Sequence, residues 1–338
     1  MIASAEREHI LTAFETIVVF FESFRRSYTK VRRSIEATLL RGSPSSIIIR
    51  GPSGSGKSTL IECIQLTLES EHKELREDGE YTIIPVVNFE TPPEVTIKGM
   101  ARAMLIAVGI SNPRGSTEEM THQLITILKT RGTKIVFLDE IQRLCLPTAD
   151  KVRPKALAWI VGLANALRIP IILAGTEECE VLQSDNKDYN QKDYSTKAFK
   201  RRYPFTAKME HLKFSAAFDS EFQQFIRSLD SRLYELTKLP DGLHLHDPLL
   251  SAQLFMASDG NLETLRLTIW NALRECLDRN PDQNLTQGLT LEDFIYAYEL
   301  TTSEESKLSN PFTLTLESTL EQIGEMQRQK ELDRKRNE

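Results

Sequence analysis

The sequence predicts an α/β protein in which a parallel five-stranded sheet is followed by an all-helical region. Two observations support this prediction. Short apolar runs alternate with helical segments in the first two thirds of the chain, at IIIR, TIIPVVNFE, TKIVFLDE and IPIILAGT. Runs that are apolar almost throughout are typical of a parallel sheet covered on both faces. From about residue 215 such runs stop, and the apolar residues recur at helical spacing.

The N-terminal segment, residues 1–44, is predicted to form one long amphipathic helix. Between residues 5 and 40 apolar side chains recur every three or four positions, as at Phe14, Phe24 and Val31. This spacing places them on one face of a helix. The RGSPSS sequence, with its glycine and proline, is expected to end the helix.

Residues 45–214 are predicted to form the α/β domain. Strand IIIR comes first, and AKMEHLKF at 207–214 is expected to be the fifth strand. The helices between the strands are predicted at STLIECIQLTLES, residues 117–130 and VRPKALAWIVGLANAL, and TPPEVTIKGMARAMLIAVG is predicted to be a loop that leads into another helix. Four further helical segments between 215 and 300 predict an all-helical domain. The polar, charged residues 301–338 are expected to be a flexible tail or a lone helix.

The composition is that of a soluble globular protein, with 40% hydrophobic and 27% charged residues in 338. No apolar run approaches the roughly 20 residues that a membrane span requires. The N-terminal MIASAEREHI has no apolar core of a signal peptide. The cysteines are scattered without a CxxC pair, which favours a reducing cytoplasm and argues against a zinc site or a disulfide framework. These features predict a cytoplasmic protein without a membrane partner.

The charge distribution leaves two interpretations open. The net charge of −6 argues against nucleic-acid binding, whose affinity comes largely from neutralising phosphates. Basic residues are nevertheless clustered at 25–41 and at 328–336. Each cluster is compatible with a solvated helix face and with a binding surface.

Residues 51–58, GPSGSGKS, match the G-x-x-x-x-G-K-[ST] pattern of a Walker A loop between a buried strand and a helix. Glycines let the backbone approach phosphates, and the helix that follows contributes a positive N-terminal end. The predicted nucleotide-binding residues are Gly51, Pro52, Ser53, Gly54, Ser55, Gly56, Lys57, Ser58 and Thr59. Of these, Lys57 is expected to reach the terminal phosphates and Ser58 to hold Mg²⁺.

The KIVFLDE segment supplies two adjacent acids at the end of a predicted strand. Asp139 is positioned to bind Mg²⁺, and Glu140 to polarise an attacking water. A glutamate directly after this aspartate points to ATP hydrolysis rather than to a GTPase or a metabolite kinase. The N-K-x-D pattern that reads guanine is also incomplete, because residues 186–189 are NKDY.

Three further polar residues are candidates for the hydrolysis site. Thr176 ends the next predicted strand and is placed either to orient the water or to cap the following helix. Arg201 and Arg202, in KRRYPF, are candidates for an arginine finger that stabilises transition-state charge on a neighbouring subunit's ATP. A basic surface turn is the alternative for this pair.

Together these motifs resemble an AAA+ ATPase. Over about residues 45–215 the chain also resembles the TnsC/TniB group of transposition regulators, in the segments VVNFETPPEVTIKGMARAMLIAVG, KIVFLDEIQRL and IPIILAGTEECEVL. The resemblance implies an ATPase with ATP and Mg²⁺ as cofactors and a helical lid after the α/β domain. It implies a homo-oligomer, filament or ring, on double-stranded DNA that recruits or activates a transposase and disassembles on hydrolysis. It leaves open whether target selection is RNA-guided, as in a CRISPR-associated transposon, or depends on a target-selection protein, or on neither.

The resemblance also implies roles for individual residues. Thr176 would be sensor 1, and Lys98 and Arg102 would contact the DNA backbone from one helical face. A solvated face is the alternative for these two. The lid departs from the usual pattern, because Arg266 stands six residues after Gly260, and the resemblance implies that Arg266 is the sensor 2 residue that binds the nucleotide. The alternative function is a nucleotide-gated scaffold or signalling ATPase that binds proteins instead of DNA.

Overall fold

The computed structural model describes residues 2–183, 194–279, 288–301 and 310–337. It divides into two compact units. The sheet unit is Ser23–Glu210, and the helical unit combines Met1–Glu22 with His211–Glu338. Across the described ranges, none of the helices combines the length and the apolar character that a bilayer crossing needs.

The N-terminal segment contains two helices, α1 (Ile2–Glu15) and α2 (Glu22–Arg41), so the prediction of one continuous helix is wrong. The break contains a run of four β-branched residues, Thr16 to Val19, which lose rotamer freedom in a helix. The Thr16 amide and hydroxyl both donate to the carbonyl of Ala13, at 3.0 and 2.7 Å, and close the last turn of α1. Nearly all of α2 belongs to the sheet unit, whereas α1 belongs to the helical unit.

The predicted parallel five-stranded sheet is confirmed, with the strand order β4-β5-β6-β1-β7. A separate antiparallel pair, β2-β3, lies in the same unit. Strands β1, β5 and β6 are buried almost throughout, as their apolar sequences require. The strands in chain order are β1 (Ile47–Arg50), β2 (His72–Arg76), β3 (Gly79–Ile83), β4 (Val86–Glu90), β5 (Ile135–Asp139), β6 (Ile171–Gly175) and β7 (Phe205–Lys208).

The TIIPVVNFE segment forms parts of two strands rather than one. Strand β3 ends at Ile83, and β4 begins at Val86. Pro85 separates them because it has no N–H to donate to a neighbouring strand. Its carbonyl instead accepts from the amides of Lys134 and Ile135, at 2.7 and 3.1 Å.

The fifth strand begins two residues earlier than predicted and is shorter, at 205–208 instead of 207–214. Its parallel partner β1 is only four residues long, and Ile47 pairs with Phe205. The amide of Met209 still donates to Arg50 at 2.8 Å. Beyond that point β1 has turned into the phosphate loop and offers no further partner.

Helices surround the sheet and bury its faces. They are α3 (Lys57–Gln65), α4 (Ile97–Ala107), α5 (Thr117–Thr130), α6 (Arg153–Leu167) and α7 (Tyr194–Arg202). Buried side chains of α4, α5 and α6, such as Met104, Leu124 and Ile160, join those of the strands in one apolar core. The NKDY sequence used to argue against guanine specificity lies outside the described residues.

The helical unit contains α8 (Glu221–Thr237), α9 (Pro248–Ser258), α10 (Leu262–Arg279), α11 (Leu291–Thr301) and α12 (Leu316–Asn337). The all-helical prediction for 215–300 is therefore confirmed over its described residues. Of the two alternatives for 301–338, a flexible tail and a lone helix, the structure has a helix at α12, and Thr319 and Ile323 are buried one turn apart on it. Gln327 also donates to the carbonyl of Phe214 at 3.2 Å.

Candidate active site

The carboxyl ends of three adjacent strands bring the predicted ATPase residues together. Strand β6 lies between β1 and β5 in the sheet. The phosphate loop follows β1, Asp139 ends β5, and Thr176 follows β6. Ligands of open parallel sheets bind at this edge. The topology therefore places Thr176 between the Walker A loop and the acidic pair.

The backbone of the Walker A loop favours glycine at three positions. Gly54 and Gly56 have φ angles of 71° and 89°, in the left-handed region. A Cβ atom added to Gly51 would lie 1.9 Å from the carbonyl oxygen of Met209. The loop thus passes against the residue that follows β7 and then turns its backbone into the start of α3.

Lys57 is the first residue of α3 and is folded back over the loop. Its Nζ donates to the carbonyls of Gly51 and Pro52, at 2.8 Å each. Burial lowers the pKa of Lys57, and the nearby carboxylates of Asp139 and Glu140 oppose that shift. The ammonium therefore lies in the field of both acids, at a site that excludes part of the water.

The loop offers polar groups that suit a phosphate chain. The Ser55 hydroxyl is buried and has no hydrogen-bond partner among the described residues. The first amides of α3 have no intrahelical acceptor, as in any helix, and bind anions readily. Ser58 is exposed at this end, where its hydroxyl is available to a metal ion. These donors fit a nucleoside triphosphate with Mg²⁺.

Asp139 and Glu140 sit where the chain leaves β5. The amide of Glu140 donates to Asp139 Oδ1 at 2.8 Å, and the Thr91 hydroxyl donates to the Asp139 carbonyl at 2.9 Å. Glu140 has φ 56° and ψ 31°, a left-handed conformation that is costly for a residue with a side chain. Strain of this kind is concentrated at functional sites. The left-handed conformation directs Glu140 away from the line of β5.

Gln142 connects Glu140 to the end of β6, a link that the sequence interpretation missed. Its Nε2 donates to Glu140 Oε2 at 2.9 Å, and its Oε1 accepts from the Thr176 amide at 3.3 Å. A Cβ atom added to Gly175 would lie 2.6 Å from this Oε1. One amide side chain thus sets the position of the acid relative to the β6 terminus. The only sequence signal was its location two residues after Glu140.

Arg143 holds the other side of the acidic turn. Its guanidinium forms an ion pair with Glu90 at 2.8 Å and a longer one with Glu140 at 3.5 Å. It also donates to the carbonyl of Thr91. The ends of β4 and β5 are therefore tied together beside the candidate base.

Thr176 makes a side-chain contact that neither of its predicted roles includes. Its hydroxyl donates to Glu178 Oε2, and this hydrogen bond is the main reason that the pKa of Glu178 is lowered. Its side chain forms no N-cap hydrogen bond to the short helical turn that follows. A water-orienting role remains a prediction.

The two candidate arginine fingers differ in their surroundings. Arg201 is exposed near the end of α7. Arg202 is half-buried and donates to the Ser43 hydroxyl at 2.7 Å and to the Pro44 carbonyl at 3.2 Å. Arg202 thus fixes the loop before β1, while Arg201 points its charge to solvent.

Arg266, the candidate sensor 2 residue, is bound to α1 within the helical unit. Its guanidinium donates to the carbonyls of Phe14, at 2.9 Å, and Glu15. It also forms an ion pair with the Glu15 carboxylate at 3.1 Å. A cation at the C-terminal end of a helix interacts favourably with the helix dipole. This guanidinium therefore stabilises the end of α1.

Lys98 and Arg102 lie on the exposed side of α4, as predicted from their spacing. The opposite side of this helix buries Met100 and Met104 in the core. The helix is capped by the Thr96 hydroxyl, which accepts from the Gly99 amide at 2.9 Å. The two basic side chains are therefore presented together on a rigid helix.

Solved structures with the same fold share little sequence with this chain. The ORC1 protein of Aeropyrum pernix, solved in complex with DNA, matches with a TM-score of 0.55 and 16% identity, covering 86% of this chain and 68% of its own. Cdc6p of Pyrobaculum aerophilum matches with a TM-score of 0.53 and 16% identity, covering 88% and 74%. A Walker-type ATPase of Pyrococcus abyssi reaches 0.50 with 13% identity, covering 78% and 71%. These likenesses show the fold.

The family is shown by the sequence itself. No curated protein matches the chain. The model of the bacterial TniB protein family matches residues 21–191, which is just over half of the 338 residues and includes the Walker A loop, the acidic pair and Thr176. The chain therefore belongs to the TniB family and has the fold of an AAA+ ATPase.

Proposed function

We propose that this protein is an ATP-dependent, DNA-binding transposition regulator. It assembles as a filament or ring on double-stranded DNA, recruits or activates a transposase together with a target-selection protein, and disassembles when it hydrolyses ATP. The observation that carries the proposal is the meeting of Lys57, Asp139 and Glu140 at one sheet edge in a TniB-family chain. The likeness to an ORC1 protein solved with DNA supports the choice of partner.

The residues at this edge divide the work of hydrolysis. The amides of the Walker A loop and the Lys57 ammonium bind the phosphates. Ser58 and Asp139 are the residues that would hold Mg²⁺, which neutralises phosphate charge when bound. Glu140 takes a proton from the attacking water as a general base. Thr176, fixed through its amide to Gln142, helps to place that water.

Arginines outside the Walker A loop are the candidates for stabilising the charge that develops in the transition state. Arg201 is the better candidate for a finger in a neighbouring subunit, because it is exposed while Arg202 is tied to Ser43 and Pro44. Arg266 acts as sensor 2 only if it gives up its bonds to α1.

Replacing Gln142 with alanine is expected to lower kcat by about 10-fold or more while ATP binding is kept, because a general base contributes roughly 10²–10⁴-fold only when it is in position. Steady-state ATPase assays and a separate measurement of nucleotide affinity distinguish the two effects. Gln183→Ala is the matched control, since the Gln183 amide donates to the Tyr203 carbonyl and not to the acidic turn. An unchanged kcat in Gln142→Ala would show that Glu140 does not depend on this link.

The double substitution Lys98→Glu/Arg102→Glu is expected to weaken duplex DNA binding uniformly across sequences. If each side chain neutralises one phosphate, the slope of log K against log salt falls by about 2. Fluorescence anisotropy over a salt series measures it. Lys129→Glu/Lys155→Glu is the matched control, because it makes the same charge change at exposed positions of α5 and α6. Equal salt slopes in both double variants would contradict the assignment of Lys98 and Arg102 as phosphate contacts.

Electron microscopy of the protein with a non-hydrolysable ATP analogue, with and without double-stranded DNA, tests the whole proposal. Filaments or rings that require both nucleotide and DNA are the expected result. Monomers, or rings that form equally without DNA, would contradict it and favour a nucleotide-gated ATPase that binds proteins.

A further inference from the structure

An acid and two histidines converge in the helical unit. Asp230 lies in the middle of α8 with its side chain only 6% exposed. His244 and His246 precede α9, and Leu245 between them is buried, so both imidazoles project to the same side. Their Nδ1 atoms lie 2.8 and 3.2 Å from the same oxygen, Asp230 Oδ2.

The spacing of these atoms is that of a coordination shell. One potential ligand atom from each of the three residues lies within 4.8 Å of the others. Around a tetrahedral Zn²⁺ with bonds of about 2.0–2.1 Å, neighbouring ligand atoms are about 3.3 Å apart. The two distances to Asp230 Oδ2 are close to that value. Small side-chain rotations are enough to admit an ion.

Surrounding groups hold the ligands in place. The Leu245 amide donates to Asp230 Oδ1 at 2.8 Å, which leaves Oδ2 directed at the histidines. The Tyr234 ring packs 4.6 Å from the His244 ring, and its hydroxyl donates to the Leu243 carbonyl at 3.0 Å. On the other edge of the same imidazole, Nε2 lies 3.5 Å from Asp241 Oδ1. Carboxylates in this outer position are common behind metal-bound histidines, because they fix the tautomer.

The protonation chemistry favours a cation between these groups. Without one, both histidines must carry their proton on Nδ1 and share a single carboxylate oxygen as acceptor. With one, each neutral imidazole carries its proton on Nε2 and turns a lone pair to the ion. The Nε2–H of His244 then faces Asp241. The side chains of His244 and His246 are 39% and 41% exposed, which gives an ion and its water a path from solvent.

We propose that Asp230, His244 and His246 form a site for a divalent transition-metal ion, with Zn²⁺ as the preferred occupant and water completing the shell. Imidazole ligands select zinc-like metals over Mg²⁺, which prefers oxygen. The scattered cysteines argued against a zinc site, but this site has no cysteine ligand. The ion ties the middle of α8 to the segment that leads into α9. The site lies wholly in the helical unit and does not depend on the proposed ATPase function.

Isothermal titration of the chelator-treated, nucleotide-free full chain with Zn²⁺ tests the site. One saturable equivalent per chain is expected, and His246→Ala is expected to bind at least about 10-fold more weakly. His122→Ala, which removes an exposed histidine of α5, should keep the wild-type affinity. Asp139→Asn should keep it as well, which separates this site from the acidic pair. Equal binding by wild type and His246→Ala, or no saturable binding by wild type, would overturn the proposal.

A second measurement avoids dependence on one variant. His246 is substituted in preference to Asp230, because the buried Asp230 carboxylate also accepts a hydrogen bond from the Leu245 amide. Replacing Asp230 would therefore disturb folding. Co²⁺ added to the wild-type chain should give the visible absorption of a low-symmetry nitrogen and oxygen site, and Zn²⁺ should displace it. Zn²⁺ should also raise the Tm of wild type and leave that of His246→Ala unchanged. Absence of both the absorption and the Tm shift in wild type would exclude the site.

Discussion

Lys57→Ala is expected to lose ATP binding and, with it, every ATP-dependent assembly. The Lys57 ammonium lies at the N-terminal end of α3. Its Nζ is 2.8 Å from each of the carbonyl oxygens of Gly51 and Pro52 in the loop. Hydrogen bonds to charged groups contribute about 1.5–3 kcal/mol each, so losing one or two phosphate contacts lowers affinity by about 10- to 100-fold or more. Equilibrium binding of a fluorescent ATP analogue measures the loss.

The same substitution removes the donor to two loop carbonyls, so its fold must be checked separately. We expect the variant to keep a cooperative thermal transition but to show no increase in Tm when ATP is added, because a ligand that does not bind cannot stabilise. Lys155→Ala, on the exposed side of α6, is the matched control and should respond to ATP as wild type does. Full nucleotide binding by Lys57→Ala would contradict the assignment of the Walker A loop.

Local patterns were sufficient to predict the fold class and the position of the acidic pair. A buried strand followed by a glycine-rich loop and a helix constrains its own geometry, and adjacent parallel strands bring their carboxyl ends to one edge. Asp139 and Lys57 could therefore be placed together from the amino-acid sequence alone. The wider family was predictable for the same reason, since its motifs lie on these loops.

Features that depend on partners distant in sequence were not predictable. Gln142 becomes informative only when β5 and β6 are neighbours and the Thr176 amide comes within its reach. Strand β2 of the hairpin β2-β3 is mostly exposed, and its sequence HKELR gives no apolar alternation. The burial of Ile323 in α12 likewise needs the rest of the helical unit. In each case tertiary contacts decided what local propensity left open.

The prediction of one helix over residues 5–40 was wrong for a different reason. Its apolar stripe continues in phase through Thr16 to Val19, so periodicity alone indicated one helix. The four β-branched residues there oppose helix formation, and the break lets Phe14 and Phe24 be buried in different units. The low helix propensity of this run outweighed the apolar periodicity, because the apolar residues on both sides of the break are still buried.

Glu140→Gln is expected to bind ATP with nearly wild-type affinity but to hydrolyse it about 100-fold or more slowly, the lower end of what a general base contributes. The substituted side chain has the same size, so the left-handed turn at this position and the contact with the Gln142 amide are preserved. What is lost is the carboxylate that takes a proton from water. Single-turnover hydrolysis with excess protein measures this step without interference from product release.

If hydrolysis is the signal for disassembly, the same variant should remain on DNA in ATP for as long as wild type does with a non-hydrolysable analogue. Dissociation from labelled duplex DNA after a competitor chase reports the lifetime. Glu177→Gln, an exposed carboxylate just beyond Thr176, is the matched control and should dissociate in ATP as wild type does. Slow hydrolysis combined with rapid dissociation of Glu140→Gln would keep the catalytic role of Glu140 but refute hydrolysis as the release step. Unimpaired hydrolysis by Glu140→Gln would refute the role of Glu140 as the general base.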